Sequence, residues 1–256
     1  PVMEAQLQAK YPSIRTYTGY QLDDPRHTIK LDVGPHGFHA MIFSPQETIV
    51  ISPAMSDNQS QYLVFRKQDL AAEGEDAFTC DVSGKVLPAT PPSSLSLLSN
   101  PTGTELRTYR LAMGATGEYS TFHGGTKELT LAAIATAMNR VNGIYERDFT
   151  ITMILVNNTD TLIYLDPATD PYTNNDLGAM LGENQVLCDS LIGNDNYDIG
   201  HVFGTAGGGL AGLGVVCGGV KAWGATGLGS PVGDVFSVDY VSHEIGHQFG
   251  AGHTFN

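Results

Sequence analysis

The sequence predicts a chain in two parts. A β-rich N-terminal region precedes an α/β domain whose mixed, twisted sheet is backed by helices. Three observations predict it. Short alternating or β-branched runs separated by turns fill much of residues 1–83. A Pro/Ser/Thr-rich stretch then breaks the pattern, and beyond it strand-like runs alternate with apolar-periodic helical ones.

The runs "HTIKLDVG", "GFHAMIFS", "ETIVISPA" and "YLVFRKQ" read as strands bounded by Gly, Pro and Asn turns. The stretch "KVLPATPPSSLSLLSNPTGTEL" has linker composition, extended and solvated, with no basic residue after Lys85. The expected division is therefore 1–84 for the β-rich part, 85–105 for the linker and 106–256 for the α/β part. Within the last, "RTYRLAMGATG" reads as a strand. Thr126 caps the helix "KELTLAAIATAMNRVNGIYERD", where Leu131, Ile134, Met138, Val141 and Tyr145 share one face. "FTITMILV" reads as a buried strand and "TLIYL" as a candidate for another. "DPATDPYTNND" is a turn-rich loop, "ENQVLCDSLIG" a short helix and "YDIGHVFG" a strand. A last helix begins near Ser237, with Val238, Val241, Ile245 and Phe249 as its apolar stripe and Gly250 as a left-handed terminator.

With 256 residues, 41% of them hydrophobic, the chain can bury a core. A net charge of −14 argues against a general nucleic-acid binder, which needs a basic face. The acidic excess is concentrated late: residues 101–256 hold 6 basic and 16 acidic side chains, against 7 and 11 in residues 1–100. The most apolar long run, "TAGGGLAGLGVVCGGV", is too short and too glycine-rich to span a bilayer. The N-terminal residues lack a charged-then-apolar signal layout, so any secretion signal is expected to lie outside them. Thirty glycines, thirteen prolines and only 16% charged residues suit a loop-rich, secreted domain.

The chemistry concentrates in "HEIGHQFGAGHTFN", residues 243–256. On a helix His243 and His247, at i and i+4, project from one face one turn apart and can share a zinc ion. Glu244 points slightly aside, placed to take a proton from a water on the metal without ligating it. Gly250 lets the chain turn sharply and return His253 as a third ligand. Three protein ligands leave a fourth position for water, the arrangement of a catalytic zinc. Placing three histidines and a glutamate at this spacing has no packing benefit.

His243–His253 matches HExxHxxGxxH, and in this the chain resembles the metzincin zinc peptidases. "NYDIGHVFGTAGGGLAGLGVVC" is similar to the segment before the active-site helix of adamalysin/reprolysin-like enzymes, and "RTYRLAMGATGEYSTF" to the first strand of bacterial secreted members. The likeness runs from about Leu106 to the end. It implies a metzincin-like zincin fold and a zinc endopeptidase acting on extended protein substrates. His243, His247 and His253 would be the ligands and Glu244 the general base, then acid. Leu210, Ala211, Gly212, Leu213 and Gly214 would belong to the cleft-edge strand that pairs with substrate backbone. A catalytically silent zinc-binding module of the same fold is the alternative, against which the retained Glu244 argues. The methionine-containing turn that metzincins place downstream of the third histidine is not among these residues, the last methionine being Met180. The catalytic domain is accordingly expected to be cut short after its third ligand.

The resemblance also gives the three cysteines roles. Cys188 and Cys217 both fall in the catalytic part and are expected to pair, since related enzymes carry disulfides in this neighbourhood; two thiols are the alternative. Cys80 stands alone before the linker. Many metzincin zymogens hold a pro-domain cysteine on the zinc in place of water, so residues 1 to about 104 resemble a pro-domain with Cys80 as latch, Asp81 as fallback, and the linker as the activation cut.

Other signals are weaker. The loop Asp166–Asp176, with Asp170, Asn174 and Asn175, could bind calcium, although turn formation accounts for it equally well. Gly207, Gly209 and Gly212 form a GxGxxG with Asp234 following at dinucleotide-site spacing, but no amphipathic helix follows to hold a pyrophosphate. His201 reads as a strand histidine, and His27, His36, His39 and His123 have no ligand spacing.

Overall fold

The computed structural model describes residues 1–55, 58–69, 80–83 and 105–253. Apart from its last residue, the linker expected at 85–105 lies outside them, as do the final three residues of the chain.

The first sheet is an antiparallel meander in chain order: β1 (Arg15–Tyr20), β2 (Thr28–Gly34), β3 (Gly37–Phe43), β4 (Thr48–Met55) and β5 (Asn58–Arg66). Gly34 pairs with Gly37, and the left-handed φ of 95° at Gly37 allows so tight a reversal. The second sheet is mixed, in the order β6-β10-β11-β9-β7-β8. Its strands are β6 (Cys80–Ser83), β7 (Arg107–Ala115), β8 (Ile151–Leu155), β9 (Ile199–Gly204), β10 (Gly208–Gly212) and β11 (Gly224–Gly227). Among these, β10 and β11 alone are antiparallel.

Between the sheets runs α3 (Lys127–Phe149), the longest of five helices in the described residues. The Thr126 hydroxyl accepts from Leu129 N at 3.2 Å, and Thr150 closes the helix in the left-handed region at φ 54°. The predicted stripe is the one buried: Leu131, Ile134, Met138 and Val141 are fully inaccessible and Tyr145 nearly so. On another face α3 meets the first sheet, where the inner side of β2 carries charge rather than apolar bulk. Lys30 reaches Glu146 at 2.6 Å, and Thr136 donates to Asp32 at 2.6 Å. Gly143 admits the Phe43 ring so closely that a Cβ there would overlap it.

Several local readings change. The strand expected through Gly117 ends at Ala115, because Thr116 caps a short helix, α2 (Gly117–Phe122). "TLIYL" forms no strand: Thr159–Leu162 is a 3₁₀ turn, and Ile163 makes one isolated bridge to Ala115. The helix expected from Glu183 starts earlier, as α4 (Leu177–Leu187), since Asp176 accepts from Ala179 N at 3.0 Å. It continues as a π-helical stretch through Gly193.

The expected Cys188–Cys217 disulfide is absent. Cys188 is buried with its sulfur against Gly200 and Asn184, and burial pushes the thiol pKa up. Cys217 is exposed on the loop after β10, at φ 61°, with its N–H bonded to Asp198 O at 2.8 Å. One sulfur faces the sheet and the other faces solvent, so neither is presented to the other.

Residues 1–14 precede every run read as a strand in the β-rich region, yet they complete the second sheet and its core. Met3 bridges Leu155 at the outer edge of β8, with Leu155 N donating to Val2 O at 2.7 Å and Glu4 N to Leu155 O at 2.9 Å. A helix follows, α1 (Ala5–Lys10), whose Gln6 N donates to Asn157 Oδ1 at 3.0 Å. Val2, Met3, Leu7 and Ile14 sit in one cluster with Leu111, Met113, Leu131, Met138 and Met153.

Candidate metal centre

The last helix is assembled from two pitches. A π-helical stretch, Val235–Val241, runs without a break into α5 (Ser242–Gln248), burying Phe236, Val241 and Ile245. After α5 the chain leaves through a double-bonded glycine turn. Gly250, at φ 99°, donates to His247 O at 2.8 Å, and Ala251 N donates to Gly246 O at 2.9 Å. The loop after β10 locks on from the side: Gly214 N donates to His247 O and Val215 N to Gln248 O, both at 2.9 Å. Gly214 and Gly250 lie Cα against Cα, and the turn carries His253 back over the helix face.

The resulting cluster is tight. The Nε2 atoms of His243, His247 and His253 stand 3.0–3.1 Å from one another. Cys80 Sγ lies 3.3 Å from Nε2 of both His243 and His247. The His247 tautomer follows from chemistry. Its Nδ1 lies 2.6 Å from Ala251 O, a group that can only accept, so Nδ1 carries the proton and Nε2 offers a lone pair. Nitrogens converging at this spacing match the edges of a tetrahedron around zinc, roughly 3.3 Å for bonds of about 2.0–2.1 Å. The Cys80 sulfur at the fourth corner completes a donor set suited to zinc and to no hard cation. Among the described residues this is the one group of three or more His, Cys, Asp or Glu side chains placed to hold a metal.

Glu244 sits beside the cluster, fully buried. Neither carboxylate oxygen finds a hydrogen-bond donor of ordinary geometry among the described residues. Burial pushes its pKa up to about 7, with the Cys80 thiol pulling partly the other way. Its room exists because residue 209 is glycine: a Cβ there would overlap the carboxylate. Gly209 is also the register partner of Cys80 in the parallel β6–β10 pairing. The edge of the sheet, the Glu244 carboxylate and the thiol therefore meet at one point.

Gln248 and His201 tie this helix to the sheet. The Gln248 amide donates to Gly200 O at 2.7 Å, its Oε1 meets His201 Nδ1 at 2.9 Å, and His201 Nε2 meets Thr226 Oγ1 at 2.9 Å. His201 is fully buried, and burial pushes its pKa down to about 4. The histidine read as an ordinary strand residue thus holds the residue next to His247, a role that no spacing in the sequence announces.

Residues 131–254 match the family described as metallo-peptidase family M12B, reprolysin-like. Over this stretch the chain is similar to the reprolysin-like metallopeptidases. No curated protein matches the chain. That likeness supports zinc-dependent peptidase chemistry in general, and the α/β architecture with its two sheets agrees with the metzincin-like fold.

The other expected positions are distributed around the reprolysin-like site. Leu210, Ala211 and Gly212 lie in β10, whereas Leu213 and Gly214 fall in the turn after it. The side chain of Asp81 lies outside the described residues. Asp166 and Asp170 of the Asp166–Asp176 loop are engaged by donors within the loop and by the start of α2. Asp166 accepts from Ala168 N and Thr169 Oγ1, and Asp170 accepts from Gly117 N and Tyr172 N, all at 2.6–3.0 Å. Nothing in it supports calcium. The GxGxxG glycines fall in and beside β10, and the next element is the strand β11 rather than a helix. A cavity of about 470 Å³, lined by Cys80, Asp176, Leu177, Gly207, Gly209 and Leu210 among others, opens beside the cluster.

Proposed function

We propose that the chain is a secreted zinc endopeptidase held latent by its own N-terminal part. The observation that carries this reading is the position of Cys80, 3.3 Å from two imidazole nitrogens while its strand occupies the outer edge of β10. His243, His247 and His253 would hold a zinc ion, which supplies Lewis acidity toward a peptide carbonyl and toward water.

The remaining work falls to the chain's own groups. The Glu244 carboxylate takes the proton of the attacking water and delivers it to the departing amide nitrogen. A pKa near 7 suits both halves of that transfer. The β10 edge, with Leu210, Ala211 and Gly212 and continuing into Leu213 and Gly214, receives an extended substrate backbone once β6 has left it. In the latent form the Cys80 thiolate fills the position that water needs. Residues 1–84 serve as the pro-region and 85–105 as the segment cut on activation. The loop-rich, glycine-rich composition agrees with secretion.

The test is hydrolysis of casein or gelatin by the zinc-loaded protein before and after cleavage within 85–105. Activity is expected after cleavage and is expected to vanish in Glu244→Ala with zinc content unchanged. Zinc binding without hydrolysis after cleavage would instead identify a silent metal-binding module.

A further inference from the structure

We infer that residues 1–69 stay bound to the catalytic domain after activation, so that only the latch strand β6 must leave the site. This rests on the reading of Cys80 as latch and adds which part of the N-terminal region is released. The two portions of that region are attached in different ways. In the described residues β6 is four residues long and pairs with β10 alone. Residues 1–14, by contrast, are built into the catalytic core: Val2, Met3, Leu7 and Ile14 are 0–3% exposed there, and Met3 bridges Leu155 at the β8 edge.

Charge fits the same division. Three carboxylates of the acidic catalytic part take their cations from residues before 70. Asp160 pairs with Lys10, Glu146 with Lys30 and Asp234 with Lys67. Asp160 and Asp234 are only 2% and 4% exposed with residues 1–69 in place, so departure of that segment would take from each carboxylate its lysine partner and the cover that shields the pair from water. Asn157 adds two bonds to the same segment, its N donating to Glu4 Oε2 at 2.8 Å and its Oδ1 accepting from Gln6 N at 3.0 Å. Leaving would expose the apolar edge of β8 and one face of α3 as well. The surface on β8 and α3 is thus a permanent seat for this segment.

The experiment uses the full chain carrying Glu244→Ala, which silences self-cleavage, with one site-specific protease sequence inserted after Ser94. After cutting, the N-terminal fragment is expected to co-elute with the remainder in native gel filtration and to separate only in denaturant. Two separate species under native conditions would overturn the inference. Hydrogen exchange on the cut, zinc-loaded protein, with and without acetohydroxamate as an oxygen ligand for the metal, resolves the two portions. Residues 80–83 should lose protection while 2–14 and 28–43 retain it, and simultaneous loss in both portions also overturns it. Protection at 80–83 that ignores the hydroxamate counts against the Cys80 latch, and co-elution still decides the fate of residues 1–69.

Discussion

Gly209 places its Cα directly against the Glu244 carboxylate, with Cys80 beside it in strand register. A side chain there must displace the carboxylate or push β10 away from α5. Gly209→Ala should therefore lower kcat by about 10²–10³-fold, within the range a positioned general base contributes, with zinc content intact. Steady-state kinetics beside metal analysis checks this; wild-type kcat would show that Glu244 can do its work elsewhere.

Cys80→Ala removes the thiol and leaves three imidazoles on the metal. The variant should lose latency and process itself faster than the parent, followed as the appearance of cleaved product over time. Unchanged latency would assign the inhibition to the strand pairing of β6 with β10.

Metal removal should loosen the end of the chain first. His253 reaches the cluster only through the Gly250 turn, so chelation leaves three converging lone pairs without an electrophile between them. A ligand at a hundred times its Kd stabilises by about 2.7 kcal/mol, so the chelated protein should melt several degrees lower, reversed by adding zinc back. An unchanged Tm would mean that zinc does not bind the folded form.

Leu7→Ala should destabilise the whole molecule by about 2–5 kcal/mol, the usual cost of truncating a fully buried leucine. Leu7 is fully buried in the cluster that includes Leu111 and Met138. Denaturant unfolding followed by fluorescence of Trp223 and of the tyrosines would read it. A loss confined to a separate early transition would mean that the N-terminal segment folds apart.

Acid sensitivity follows from two buried imidazoles. Burial pushes the His201 pKa down to about 4 and that of His123 to about 3, both below the ordinary value near 6.5. As pH falls below 6.5 the unfolded chain binds protons that the folded chain refuses. The stability tied to the neutral rings is therefore complete above about pH 6.5 and is lost progressively toward pH 4 and below. His123→Phe should flatten the fall in urea midpoint over this window, and an unaltered slope would remove His123 from the account.

Much of the site was legible because local chain geometry makes it. His243, Glu244 and His247 are fixed by one helical turn, and Gly250 by the need for a left-handed exit, so spacing alone places them. The long α3 was legible for the same reason. What escaped depends on contacts distant in sequence. "GATG" in β11 has no alternation to read, because its faces are filled by His201, Gln248 and Ala206 pressing on glycines. Met3 and Leu7 carry no pattern of their own and gain structure from partners distant in sequence, Leu155 and Asn157 among them. The disulfide expected between Cys188 and Cys217 shows the limit of resemblance, since orientation rather than neighbourhood decides whether two sulfurs can meet.

The seat of the first residues on β8 sets an order of events during synthesis. Gln6 N waits for Asn157, 151 positions later, and Lys10 for Asp160, 150 positions later. Val2, Met3 and Leu7 therefore leave the ribosome long before the surface that covers them exists. Contacts of such separation slow folding and lengthen the exposure of apolar segments. Residues 2–14 are consequently a stretch with much to gain from a holding chaperone, and their cluster cannot close before residues 155–160 and the still later Ile199, Phe203 and Ile245 have arrived.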